Sequence, residues 1–316
     1  MQPNEFDPAP GRAEGIAPGL RRVVARNPGP MTGPGTNTYL LGWRGLAVID
    51  PGPDDPAHLA AVLDAIRPEQ RITHILVTHA HLDHSPLAKP LSDATGAPIL
   101  AYGPARAGRS TIMAELAERG LTSGGEGVDT KFSPDHKLAD GSVVTGDDWS
   151  ITAHWTPGHM GNHMVFEWGD CVFSGDLVMG WSSSLVSPPD GDMTDFLASC
   201  EKLARLGPRI LHPGHGAPVT APAIRIADLI AHRKSREQNV LSALARGART
   251  LHEVTAIVYG DIPPALLAAA SRNALAHLVD LRGRGLVSAH PDPGEAAIFT
   301  LIKKDDKKTT EASGRS

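Results

Sequence analysis

The chain has 316 residues, of which 33 are Gly and 27 are Pro, nearly a fifth of the total against a usual share of about 12%. That excess has no three-residue period and hydrophobic residues reach 41%, so a collagen-like rod and wholesale disorder are both excluded. A net charge of −5 gives no general attraction for nucleic acid, two cysteines are too few for a disulfide framework, and no apolar run of about 18 residues is present to span a membrane.

The length suits one large domain and a small one. Residues 1–20 are rich in Pro and Gly and read as a flexible tail. The first ten lack the basic and apolar stretches of a secretory signal, and with so few cysteines a cytoplasmic setting is expected. Strands are predicted at 21–26, 38–42 and 46–50, and a helix at 56–66, where Ala, Leu, Val and Ile recur at helical spacing. Residues 72–78 are almost wholly apolar, as in a strand buried on both faces. A strand at 99–101, a partly helical stretch at 103–120 and a polar, Gly-rich loop at 122–135 follow. Further strands are predicted at 143–144, 150–156, 163–168 and 171–174. A long loop at 178–192 leads to a helix at 195–206, with Thr194 as its N-cap, and then to a strand at 209–211.

The pattern changes after Pro222. A long helix at 223–246, helices at 251–258 and 264–284, and a hairpin at 286–289 and 296–302 give the order of a winged-helix module. The expected organisation is a tail at 1–20, an α/β catalytic domain at 21–220, a winged-helix-like domain at 221–302, and a disordered, Lys/Asp-rich tail at 303–316.

The 15 His are unevenly placed. His79, His81 and His84 follow the apolar strand at 72–78, His159 and His163 form a second group, and His212 and His215 a third. The ends of strands in an α/β sheet are where rigidly held loops converge. In Thr78-His79-Ala80-His81-Leu82-Asp83-His84, the i, i+2 spacing lets His79 and His81 meet on one ion, while Asp83 and His84 face a second. Imidazole and carboxylate donors suit a borderline divalent metal such as Zn²⁺. A His-rich surface loop would not require this position directly after a buried strand. Pro157-Gly158-His159, Ser174-Gly175-Asp176 and His212-Pro213-Gly214-His215-Gly216 each follow a predicted strand, and each can bring one side chain to the same sheet edge.

HxHxDH, then PGH, GD and PGHG, in that order, resembles the signature of the metallo-β-lactamase superfamily over about residues 21–220. The resemblance implies an α/β fold, the αββα sandwich, with a two-metal site at one edge. Carried over by position, His79, His81 and His159 would hold one ion, Asp83, His84 and His215 the other, and Asp176 would bridge them. This set is like that of glyoxalase II and the superfamily nucleases. The zinc β-lactamases with a cysteine ligand differ, since Cys171 lies inside a predicted strand. Hydrolysis of a β-lactam or lactone is therefore the weaker alternative. Gly35-Thr36-Asn37-Thr38-Tyr39-Leu40, His232-Arg233-x-x-Arg236-Glu237 and the winged-helix order resemble the β-lactamase-like protein 2 group, which includes an endoribonuclease acting on single-stranded RNA and has thioesterase relatives. Leu82 departs from that group, standing where many relatives carry His or another polar residue.

The activity implied is metal-dependent hydrolysis of a phosphodiester or (thio)ester. Two ions about 3.5–4 Å apart share a water, lower its pKa from ~15.7 towards ~7 and polarise the scissile group. Zn²⁺ is expected, and Fe or Mn suits the same donors. Asp83 is given a catalytic task besides ligation, orienting or deprotonating that water. Asp50 either fixes a His tautomer or merely shapes the turn before Pro51-Gly52. His163 either meets the substrate or makes a local hydrogen bond. Arg233 and Arg236, with Arg225 and Lys234, either bind a substrate phosphate or carboxylate or form a solvated helix face with Arg233 paired to Glu237. The expected partners are a small-molecule ester or thioester, or single-stranded RNA. The negative charge and an aromatic content of 4% weigh against RNA. The competing class is a non-catalytic nucleic-acid-binding protein with structural metals. A structural zinc has four closed ligands, whereas seven ligands around two ions leave room for water.

Overall fold

The computed structural model describes residues 6–122 and 127–302, so the expected tail at 303–316 lies outside the described residues. Seven strands form the first sheet in sequence order: β1 (Glu14–Ala17), β2 (Leu20–Val24), β3 (Asn37–Leu41), β4 (Gly45–Ile49), β5 (Arg71–Leu76), β6 (Ile99–Ala101) and β7 (His136–Lys137). The pairs from β1 to β4 are antiparallel, and those from β4 to β7 are parallel. The second sheet has five strands: β8 (Ser142–Thr145), β9 (Ser150–Trp155), β10 (Met164–Trp168), β11 (Cys171–Gly175) and β12 (Ile210–Pro213). Its pairs are antiparallel except β11 with β12.

The layers follow from period-two alternation in strands that are apolar on both faces. In β4, Ala47 and Ile49 point between the sheets, where Tyr39, Leu41 and Leu76 meet Ile151, Phe166 and Phe173. Leu46 and Val48 point outward, where helix α1 (Pro56–Asp64) and helix α2 (Ala88–Thr95) cover them with Val62 and Leu91. Helix α3 (Thr111–Glu118) packs elsewhere. The outer face of the second sheet is covered by α4 (Met193–Leu206) and the first half of α5 (Pro222–Ala245), through Phe196, Leu203, Ile226 and Leu229 against Val165, Val172 and Leu211. The result is the expected αββα sandwich.

A separate core joins the second half of α5 to α6 (Leu251–Val258), α7 (Leu267–Gly283) and the hairpin β13 (Val287–His290) with β14 (Ile298–Leu301). Val240, Val254, Leu275, Leu278 and Phe299 form its centre, and α3 contributes Met113 and Leu116. Helix α5 therefore serves two cores at once. No helix among the described residues is long and apolar enough to cross a membrane.

Four local differences from expectation have physical reasons. Residues 14–17, expected in the loose tail, are strand β1, because β2 offers them a free edge. Helix α2 carries Pro90 in its first turn and has no side-chain cap, so it left no start signal. The cap of α4 is Asp192, which accepts from the N–H groups of Thr194 and Asp195, while the Thr194 hydroxyl donates to Asp280 at 2.7 Å. The last long helix begins with a 3₁₀ turn at Pro264–Leu266.

Candidate metal centre

The sheets meet at the edge where the His-bearing loops emerge. Beyond β5, the Thr78 carbonyl accepts from the N–H of Met164 in β10 at 2.8 Å, which ties the first loop to the second sheet. His159 follows β9, Asp176 follows β11 and His215 follows β12. The backbone N–H of Asn37 donates to Gly214 O at 2.7 Å, and its side chain donates to Pro213 O and Gly216 O at 2.9 and 3.0 Å, so β3 holds the His215 loop.

Donor atoms from these loops converge in three overlapping groups: His79, His81 and His159; His79, His84 and Asp176; Asp83, His84 and His215. His81 Nδ1 lies 2.9 Å from His79 Nε2 and 3.1 Å from His159 Nε2. The hydrogen-bond network fixes the protons elsewhere. Thr78 Oγ1 donates to Asp50 Oδ2 at 2.8 Å and so accepts from His79 Nδ1 at 2.9 Å. His159 Nδ1 donates to Leu185 O at 2.6 Å. Both Nε2 atoms are thus left with lone pairs aimed at the same small space.

The second group repeats the logic. His84 Nδ1 donates to Asp50 Oδ2 at 2.9 Å and His215 Nδ1 to Gly35 O at 3.3 Å. Their Nε2 atoms face one another across 3.3 Å. Asp83 Oδ2 stands 3.4 and 3.1 Å from these two nitrogens. Asp176 spans both groups: Oδ1 is 3.6 Å from His84 Nε2, and Oδ2 is 3.3 Å from His215 Nε2 and 3.8 Å from His159 Nε2. Asp176 Oδ1 is buried without a hydrogen-bond partner. An orphaned carboxylate oxygen among imidazole nitrogens fits a cation. A Cβ at Gly214 would lie 2.4 Å from this oxygen and 2.6 Å from His84 Cε1, so only glycine leaves the space open.

The two halves differ electrostatically. Burial, followed by the neighbouring His159 imidazole, pushes His81 down to about 3, and burial first of all lowers His79 and His159 as well. These are neutral nitrogen donors. At His215 burial opposes the charged form, but Asp176 and Asp83 outweigh it and raise the ring to about 9. Asp83, Asp176 and Asp50 raise His84 in the same way. This half calls for positive charge.

Residues 31–215, more than half of the chain, match the metallo-beta-lactamase superfamily. The chain belongs to this superfamily. Residues 250–295 match the beta-lactamase associated winged helix domain, in accord with the C-terminal helices and hairpin. Among curated proteins, the chain is 30% identical over 275 residues to the beta-lactamase-like protein 2 homolog of Drosophila melanogaster, covering 84% of this chain and 88% of that protein. It is 29% identical over 267 residues to the atrochrysone carboxyl ACP thioesterase of Aspergillus fumigatus, covering 78% of this chain and 76% of the relative. A solved beta-lactamase domain protein from Burkholderia ambifaria shares the fold, with a TM-score of 0.77 at 22% identity over 95% of this chain and 96% of its own.

Around this candidate centre, the remaining predicted residues divide. Asp50 orients: it accepts from the Thr78 N–H at 2.7 Å, the Thr78 hydroxyl and His84 Nδ1. His163 does not reach toward a substrate. It is buried, its Nε2 accepts from the Asp176 N–H at 3.2 Å, and its Nδ1 therefore donates to Thr156 Oγ1 at 3.0 Å. Burial lowers its proton affinity well below the ordinary imidazole range, and its hydrogen bonds steady the Asp176 turn. His212 packs between Tyr39 and Phe173, outside the cluster.

Arg233 and Arg236 do not form a substrate-binding face. Arg233 is 1% exposed and bonds Asn273 Oδ1 and Ser184 O, while Glu237 pairs with Arg284 at 2.8 Å. Arg236 donates to Val258 O at 2.6 Å and lies over the Tyr259 ring. Arg233 falls on the same helical stripe as Ile226, Leu229 and Val240, all buried. Four positioning groups were missed by sequence reasoning. Thr78, Asn37 and Gly35 lay inside quoted motifs, although Gly35 acts through its backbone carbonyl, and the Leu185 carbonyl is a backbone atom with no sequence signal.

Proposed function

We propose that the chain is a dinuclear metal-dependent hydrolase acting on acyl thioesters or esters, with Zn²⁺ as the metal. The observation that carries this reading is the convergence of imidazole nitrogens and carboxylates in three overlapping groups, with Asp176 standing near His84, His159 and His215. His79, His81 and His159 would hold one ion, Asp83, His84 and His215 the other, and Asp176 both. Two such ions supply an activated water and polarise the scissile carbonyl. The chain's own groups do the rest. Asp83 is the open-side acid, with its side chain 27% exposed against 10% for Asp176, and it is steadied by the Thr36 hydroxyl at 3.3 Å. His84 and the other nearby rings keep it ionised although burial works the other way, so it accepts a hydrogen bond from the attacking water and aims it.

The acyl preference rests on the surroundings. Leu82, half exposed, stands between His81 and Asp83, and exposed Trp181 packs beside Gly216. Such apolar groups suit an acyl portion. Buried Arg233 and half-buried Arg236 both donate to backbone carbonyls, which weighs against a phosphodiester site built on them. The thioesterase name of the Aspergillus relative points the same way. Free Cys171 and Cys200 agree with a reducing, cytoplasmic setting. The test is hydrolysis of an acyl thioester and of single-stranded RNA by zinc-loaded protein, with Asp176→Asn and a chelated sample as blanks. Thioester cleavage lost in both blanks is the expected result. RNA cleavage alone would move the proposal to phosphodiesters, and cleavage of neither would overturn it.

A further inference from the structure

The loop between β11 and α4 walls one side of the metal centre, and its backbone is gripped along its length by side chains of α5 and α7. Arg225 donates to Met179 O and Ser182 O, each at 2.6 Å. Arg233, two helical turns on, donates to Ser184 O through Nη2 and to Asn273 Oδ1 through Nη1 at 3.0 Å. The same Asn273 oxygen accepts from the Val186 N–H at 3.1 Å. Arg272 donates to Ser187 Oγ at 2.9 Å and to Pro188 O. Between the two held residues Ser184 and Val186 lies Leu185, whose carbonyl accepts a hydrogen bond from His159 Nδ1 at 2.6 Å.

We infer that Arg233 and Asn273 are positioning residues for His159, acting through the Leu185 carbonyl, so that the C-terminal helices help to shape the metal centre. This rests on the reading that His159 holds a metal ion. A loop of this length does not fix one carbonyl by itself, because its backbone has many conformations to lose. Charge-assisted hydrogen bonds from a buried guanidinium remove that freedom strongly. Among the described residues Arg233 has no carboxylate partner. Its neighbours are the Ser184 carbonyl, the Asn273 amide and the face of Phe196 at 5.2 Å. A buried cation without an anion is costly, and here its charge is spent on loop backbone. The Leu185 carbonyl in turn sets which nitrogen of His159 carries the proton, and hence which one is free to bind.

The test is a zinc titration of metal-free protein against a chromophoric chelator, which needs no substrate. Wild type, Arg233→Met, Asn273→Ala and Arg236→Met are compared. Arg233→Met should weaken one of two ions by about 10- to 100-fold and leave the other unchanged. Asn273→Ala should weaken the same ion less. Arg236→Met removes an equal charge from the same helix without touching the loop, and should bind both ions like wild type. Should Arg233→Met fail to fold, Asn273→Ala decides. Unchanged affinity for both ions in Arg233→Met and Asn273→Ala overturns the inference, as does an equal weakening of both. A wild type that binds a single ion defeats the two-ion reading, and the inference then stands or falls on whether that ion loosens in Asn273→Ala.

Discussion

At the scale of single residues, Asp50 shows how much the centre asks of one position. It is the only non-glycine with positive φ among the described residues, at 52°. The left-handed conformation is unfavourable for a residue with a Cβ by roughly 1–2 kcal/mol. It persists because the carboxylate accepts from the Thr78 N–H, the Thr78 hydroxyl and His84 Nδ1 together. Asp50→Asn keeps the size but loses acceptor capacity, and should weaken zinc binding by about 10- to 100-fold in a chelator titration. Asp50→Gly and Asp50→Ala both lose the carboxylate, yet the glycine variant should be the more stable by about 1 kcal/mol in urea unfolding. Equal stabilities would mean that the backbone carries no strain there. The metal-binding candidates were legible because His and Asp side chains are rare enough to be noticed in clusters. Of their orienting partners only Asp50 stood out in the sequence, while the Thr78 and Asn37 side chains and the Gly35 and Leu185 carbonyls did not.

At the scale of elements, the first turn of α4 sits directly on the His159 loop. A Cβ at Gly158, whose φ is +134°, would lie 2.2 Å from Phe196 Cα. Gly158→Ala should therefore destabilise by more than about 3 kcal/mol in denaturant unfolding, since both steric overlap and backbone strain act against it. The start of the same helix shows why element boundaries are hard to read. Asp192 and Thr194 are both good caps, and local chemistry does not choose between them. Tertiary contacts do: the Ser110 hydroxyl donates to Asp192 Oδ2 at 2.6 Å, and Thr194 is engaged by Asp280. Asp192→Ala should lower stability by about 1 kcal/mol, read from the shift in unfolding midpoint.

At the scale of the whole molecule, three buried histidines away from the candidate metal-binding residues couple the fold to pH. Burial pushes His58 and His212 down to about 4 and His277 to about 3, with Arg22 adding to the effect at His212 and Arg233 at His277. The unfolded chain binds these protons near pH 6.5. Stability is therefore complete above 6.5 and is lost as pH falls towards 4, because the unfolded state gains protons first. His58 Nε2 donates to Thr38 Oγ1, which itself donates to Asp50 O. His58→Gln keeps a donor without a titrating ring. In metal-free protein it should remove about 3 kcal/mol of the loss between pH 6.5 and pH 4. Parallel pH profiles for the two proteins would rule out this coupling.

The sequence by itself determined the alternation of strands and helices, the winged-helix order and the His and Asp clusters, while the sandwich and the set of seven candidate metal-binding residues came through the resemblance of those motifs to a superfamily signature. Apolar periodicity and clustered His and Asp are local patterns, and they survive into any fold that buries them. Only the tertiary structure decided what Arg233, Arg236 and His163 do. Each has a charge or ring suited equally to a substrate or to a neighbour, and the choice depends on what packs against it. Arg233 looked like a surface cation until α7 and the loop from β11 closed over its stripe of α5, which turned it inward onto the backbone beside Leu185.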